Sequence, residues 1–150
     1  MTQRQPYSVL VVIYNQSHEF LLLQRSDDPL FWQSVTGGID QGETPLQTAY
    51  RELKEETGID AKALGLEIVA HDHVNHYEIR PEWRHRYSAN DYINTEYVFS
   101  IQVPNATLVT LNPNEHLNYC WLDAQQALDK VWSASNRDEI AALAQLFQPS

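Results

Sequence analysis

The sequence predicts an α+β domain in which a mixed β-sheet is sandwiched between α-helices. Three observations carry that prediction. Strand-like segments outnumber helical ones, they do not alternate with helices as repeated βαβ units would require, and two of them are so densely apolar that helices must cover both faces. The chain has 150 residues, scattered Gly and Pro, and no internal repeat or low-complexity stretch, so residues 1–150 are expected to form one domain.

The apolar runs "YSVLVVIY" and "EFLLLQR", residues 7–14 and 19–25, flank the polar turn "NQSH" and read as a hairpin. Next comes "VTGGIDQGE", a glycine-rich segment read as a loop whose backbone can approach a ligand closely. The segment "TPLQTAYRELKEETG" then carries both ends of a helix. Thr44 is an N-cap, Pro45 suits the first helical position, Gln47 completes a capping box, and Gly58 suits a left-handed end. Leu46, Ala49, Tyr50 and Leu53 form the stripe expected to pack on the sheet. Further strands are expected at 64–70, 73–79 and 96–103. A second helix is expected to start at Asp123, with Gln126 closing its capping box, and a third to run over about 135–147, capped by Ser135 and Asn136.

Twenty acidic against ten basic side chains give a net charge of −10. That balance argues against a nucleic-acid binder and against an anionic membrane surface. The longest apolar runs are too short to cross a bilayer, and the first lacks the leader of a signal peptide, so the expected compartment is cytoplasmic. Cys120 is the single cysteine, read as a small core residue in a reducing compartment.

On the helix, Glu52, Glu55 and Glu56 fall within about 100° of one another. Like charges at that spacing oppose the helix by about 0.2–0.5 kcal/mol per pair, and by more in a poorly solvated cleft. Divalent cations would relieve the repulsion, and a dense set of hard oxygens suits Mg²⁺ or Mn²⁺. Arg51 lies four residues before Glu55 and eight after Glu43, within reach to orient a carboxylate by charge-assisted hydrogen bonds. A solvated acidic face balanced by Arg51 and Lys54 is the competing reading of the same residues.

Spacing decides between them. Gly37, Glu43, Arg51, Glu52, Leu53, Glu55, Glu56, Gly58 and Ile59 match G-x5-E-x7-R-E-U-x-E-E-x-G-U, with U aliphatic, at every fixed position. A chance match has a probability on the order of one in a billion with average residue usage. The segment therefore resembles the Nudix box, and the resemblance implies a Nudix fold, divalent cations held by the helix glutamates, and hydrolysis of a diphosphate bridge. It assigns Glu52 and Glu56 as metal ligands, Glu55 as ligand or partner of the attacking water, the Gly37 carbonyl as a further ligand, and Arg51 as orienter. The flanks "LQRSDDPLFWQSVTGG", "WRHRY", "NTE", "EHLNYCWLD" and "WSASNR" resemble the bacterial dihydroneopterin triphosphate pyrophosphohydrolases of folate synthesis. That implies a small pterin triphosphate as substrate, with a broader nucleoside triphosphate pyrophosphohydrolase as the alternative and a non-catalytic nucleotide-sensing module as the rival from another class.

Glu115, in the turn-prone "NPNEH", is an idle solvated acid on residue type alone; the resemblance makes it a metal ligand or general base. Arg25, Arg84 and Arg86 are candidates for binding phosphate oxygens or, each alone, partners in surface ion pairs. Trp32 either stacks on a flat heterocycle or belongs to the core or pocket wall. Ser135 and Asn136 lie, by resemblance, near the substrate as well as at the helix start. His71, His73 and His76 are read as structural rather than metal-binding, and the oligomeric state is left open.

Overall fold

The computed structural model describes residues 4–147. The elements run β1 (Tyr7–Asn15), β2 (Phe20–Arg25), β3 (Trp32–Gln33), β4 (Val35–Gly38), α1 (Pro45–Thr57), β5 (Val69–Glu78), a 3-10 helix (Pro81–Arg86), β6 (Ile93–Val103), β7 (His116–Leu122), α2 (Ala124–Lys130) and α3 (Ala134–Phe147). The sheet has the order β3-β2-β1-β6-β5, with β4 also paired to β1 and β7 to β2. Only β1 and β6 run parallel; the other pairs are antiparallel. No helix among the described residues is long and apolar enough to cross a membrane.

Strand β1 explains the expected sandwich, because alternate side chains point to opposite faces of a sheet. Val9, Val11 and Ile13 pack with Ala49 and Leu53 of α1 and with Phe99 and Ile101 of β6. Leu10 and Val12 pack on the other face with Phe20, Leu22, Ala127, Val131 and Ile140, under α2 and α3. Both faces of β1 are thus dry.

The hairpin of β1 and β2 pairs only near its turn, at Tyr14 and Phe20. Farther along, β1 takes β4 as its neighbour, from Ser8 opposite Gly38 to Val11 opposite Val35, while β2 takes β3 and β7. Residues 32–38 therefore pass from one strand to the other at Ser34. Asn136 of α3 holds that crossing: its Oδ1 accepts the Ser34 N–H at 2.8 Å and its Nδ2 donates to Ser34 Oγ at 2.9 Å.

Helix α1 has the expected ends: Thr44 accepts the Gln47 N–H, the capping box closes, and Gly58 is left-handed at φ 75°. The second helix likewise has Asp123 and Gln126 in a capping box. Several expectations need correction. The strands expected at 64–70 and 73–79 are one strand, β5, with a register shift between Ala70 and Val74; residues 61–65 form turns that end on left-handed Gly65. Strand β6 starts at Ile93, three residues ahead of the expected 96. The glycine-rich "loop" begins as a strand, because β4 completes the ladder that the splayed hairpin leaves open. Strands β3 and β7 lack the alternation that would announce them. Leu46 is 42 % exposed and drops out of the stripe on α1. Ser133, not Ser135 or Asn136, caps α3, accepting the Asn136 N–H at 3.3 Å.

Candidate active site

The acidic flank of α1 is organised by Arg51. Its Nε and Nη2 form a fork on Glu43, at 2.7 and 2.8 Å, while Nη1 reaches Glu52 at 2.7 Å and Glu55 at 3.2 Å. Nη2 also donates to the Gly38 carbonyl at 3.1 Å, so one guanidinium ties the helix to β4. The Arg51 fork pulls the Glu43 carboxyl down to about 2. Glu43 is therefore a fixed anion that anchors Arg51.

Glu52 and Glu56 stand differently. Glu56 is 2 % exposed, and burial, then the adjacent Glu52 carboxylate and Glu115, push its pKa well up, with the Thr36 N–H as an opposing donor. Burial also raises Glu52, against the pull of Arg51. Gly37 of β4 lies against Glu52 so closely that a Cβ there would fall inside the carboxyl group. Glu55, at the outer edge, keeps a half-exposed side chain.

His116 completes the buried end of this group. It faces Arg25 across the register shift between Gln24 and Arg25, and it is buried. Its Nε2 is 3.6 Å from Glu56 Oε1 and 3.4 Å from Gln33 Nε2. Burial, then the charge of Arg25, lowers its pKa to about 4, so the imidazole is neutral at physiological pH. Glu115, next in the chain, is exposed, and its carbonyl accepts the Ser26 N–H at 2.9 Å.

The donor set fits a hard divalent cation. It consists of hard carboxylate oxygens, and Glu56 Oε1 is buried without a hydrogen-bond partner. Among the described residues no three His, Cys, Asp or Glu side chains form a ready-made cage, since Glu52 and Glu55 are turned toward Arg51. The residues expected to hold a cation are Glu52, Glu55, Glu56 and Glu115, with the Gly37 carbonyl; of these Glu55 stands at the outer edge, bound to Arg51 at 3.2 Å. The histidines of β5 have other partners: His71 meets Ser100 Oγ at 2.8 Å and His73 meets Glu139 at 2.7 Å.

From Glu52 and Glu56 a cavity of about 690 Å³ runs over the α3 face of the sheet. Phe31 and Trp132 stack at 4.5 Å in its wall, and the Arg80 guanidinium lies 4.6 Å from Trp132 and 4.7 Å from Trp83. Arg25 stacks on Trp83 at 4.5 Å and pairs with Asp27 at 2.6 Å. Arg25, Arg86, Ser135 and Asn136 line the cavity along with Glu115.

Two expected substrate contacts do not. Trp32 is absent from the lining; Lys130 covers its ring at 4.4 Å and the ring packs with the α2 and α3 core. Strand alternation is the reason, because Phe31 and Gln33 take the cavity side and Trp32 the other. Arg84 also lies outside the lining, bound to Glu78 at 2.7 Å and to the Ile79 carbonyl at 3.2 Å. Asn136 spends its amide on Ser34, as a clamp rather than a free ligand contact. Residue type alone did not single out Phe31, Arg80, Trp83, Glu96, His116 or Trp132. Most sit inside the flanking segments whose resemblance was noted, and that was the available signal.

Comparison with known proteins agrees with this geometry. The NUDIX domain profile matches residues 4–143. The chain is 44 % identical to dihydroneopterin triphosphate diphosphatase of Escherichia coli (strain K12) over 138 residues, 91 % of each chain. It is 38 % identical to the protein of that name in Haemophilus influenzae, over 93 % of this chain and 88 % of the other. The structure of the E. coli dihydroneopterin triphosphate pyrophosphohydrolase superposes with a TM-score of 0.90 at 41 % identity, covering 97 % of this chain and 99 % of the other. A box intact at every fixed position, a sheet that delivers it to the mouth of a cavity, and a profile match over nearly the whole chain lead to one conclusion: the chain belongs to the NUDIX family.

Proposed function

We propose that this protein hydrolyses dihydroneopterin triphosphate to dihydroneopterin monophosphate and pyrophosphate, with Mg²⁺, or Mn²⁺ in its place, as the required cation. The observation that carries the reading is the 44 % identity, over 91 % of both chains, to a protein named for that activity. Site chemistry supports it. Carboxylates suited to a cation stand at one end of the cavity, and flat aromatic walls with basic side chains continue from them.

A divalent cation at Glu52, Glu56 and Glu115 would polarise phosphoryl oxygens and lower the pKa of a bound water. Arg51 anchors on Glu43 and keeps Glu52 at the edge of β4, beside Gly37. Glu56, whose pKa burial raises in the metal-free fold, would be held ionised by a bound cation. His116, neutral and buried, limits the space around Glu56 without adding charge. Arg25 and Arg86 supply positive charge for phosphate oxygens beyond the carboxylates. Its substrate is thus a small molecule, and the free thiol Cys120 suits the reducing cytoplasm.

The test is a substrate panel with Mg²⁺, scored for released pyrophosphate. The expected result is a kcat/KM for dihydroneopterin triphosphate at least about tenfold above that for any ordinary dNTP. A tenfold preference the other way would replace the pterin substrate with nucleoside triphosphates. No release from any triphosphate would favour a sensing module.

A further inference from the structure

The part of the cavity away from the cation end contains polar atoms that the fold leaves for a ligand. Asn94 is 2 % exposed; its Nδ2 donates to Ser8 Oγ at 2.7 Å, and its Oδ1 is buried with no partner. Arg80 Nη1 is likewise buried and unpaired. Glu96 is 4 % exposed, and both hydrogen bonds to its carboxylate end on Oε1, from Asn75 Nδ2 at 3.2 Å and Ser135 Oγ at 3.0 Å. That leaves Oε2 to the cavity, which Glu96, Asn94 and Arg80 all line.

A buried carboxylate is costly, and a cavity meant only for polyphosphate would have no use for one. Its cost falls when a ligand N–H donates to the oxygen left open. We propose that Glu96 is a specificity-determining residue of this site, its open Oε2 accepting from the exocyclic amine of a 2-amino-4-oxopyrimidine edge. This rests on the substrate class proposed above, since a dihydropterin presents that edge through its ring N–H and exocyclic amine. Guanine presents it too.

The surrounding residues fit the assignment. Asn75 and Ser135 fix Oε1 and so set the carboxylate plane, with Asn75 also bound to Glu139 at 3.1 Å. Asn94 Oδ1 offers a further acceptor, and Arg80 Nη1 a donor for a ring oxygen or nitrogen. The stacked Phe31 and Trp132 supply a flat wall. Charge also sets polarity: Glu96 repels the phosphate end of the substrate, which Arg25 and Arg86 attract, so the heterocycle enters first.

The experiment compares GTP with ITP, which lacks the 2-amino group, as substrates of the wild-type protein and of Glu96→Gln, with dihydroneopterin triphosphate measured in parallel. A hydrogen bond to a charged group is worth about tenfold or more. The wild type is therefore expected to favour GTP over ITP by at least about tenfold in kcat/KM. In Glu96→Gln that ratio should fall to near one, and KM for dihydroneopterin triphosphate should rise about tenfold or more with a much smaller change in kcat. A wild-type ratio near one overturns the assignment even if the variant does not fold. So does a folded variant that keeps both the ratio and the KM. If the wild type hydrolyses dihydroneopterin triphosphate no better than ordinary dNTPs, the substrate reading fails on its own, and the GTP to ITP ratio still reports on Glu96.

Discussion

Replacing Glu56 with glutamine should make the metal-free protein more stable at neutral pH while removing most of its activity. In the fold, burial and the adjacent Glu52 raise the Glu56 pKa well above the ordinary value. In the unfolded chain that value is about 4.3. Between the two values the folded protein holds a proton that the unfolded chain has released. The resulting stabilisation is fully present below the unfolded value and is lost as pH rises through the folded one. Within that window a single carboxyl changes stability by up to about 1.4 kcal/mol per pH unit. For a chain of this size 1 kcal/mol moves Tm by about 2–4 °C, which makes about 3–6 °C per pH unit. A glutamine side chain does not titrate, so the variant lacks this slope. The adjacent Glu52 titrates together with Glu56, so the slope that the variant loses belongs to the pair. Thermal unfolding of both proteins in EDTA, from pH 5 to 8, should show the variant gaining on the wild type as pH rises. Hydrolysis with Mg²⁺ should fall by about 10²-fold or more. Parallel Tm curves would mean that Glu56 is not held above its ordinary pKa, and undiminished hydrolysis would move the chemistry elsewhere.

Two other substitutions probe how the site is held. Gly37→Ala should cost about 10²-fold in kcat/KM, because the new methyl occupies the place of the Glu52 carboxyl and displaces it; activity at the wild-type level would show that Glu52 need not stand there. Asn136→Ala should cost about 1–3 kcal/mol, read as a Tm loss of several degrees, since the buried Ser34 N–H loses its acceptor; an unchanged Tm would show that the crossing between β2 and β1 does not depend on the clamp.

Helix α1 and the charges on it were legible from the chain alone because everything that specifies them is local. Thr44, Gln47 and Gly58 fix its ends through contacts no longer than one turn, and the box occupies a continuous stretch around Arg51. The two dry faces of β1 were legible for a similar reason, since an unbroken apolar run admits no wet side. The placement of the box against a cavity was not. It depends on a strand that leaves β2 for β1 at Ser34 and on an asparagine 102 residues away that secures the exchange. Which tryptophan meets the cavity turned on the phase of a two-residue strand: Trp32 fell on the core side, and Trp132, from a distant loop, took the wall. Burial of Glu56 and Glu96 also comes from packing between elements far apart in the chain. Local composition records that a side chain is acidic; how much water the rest of the fold leaves around it sets its pKa and its partners.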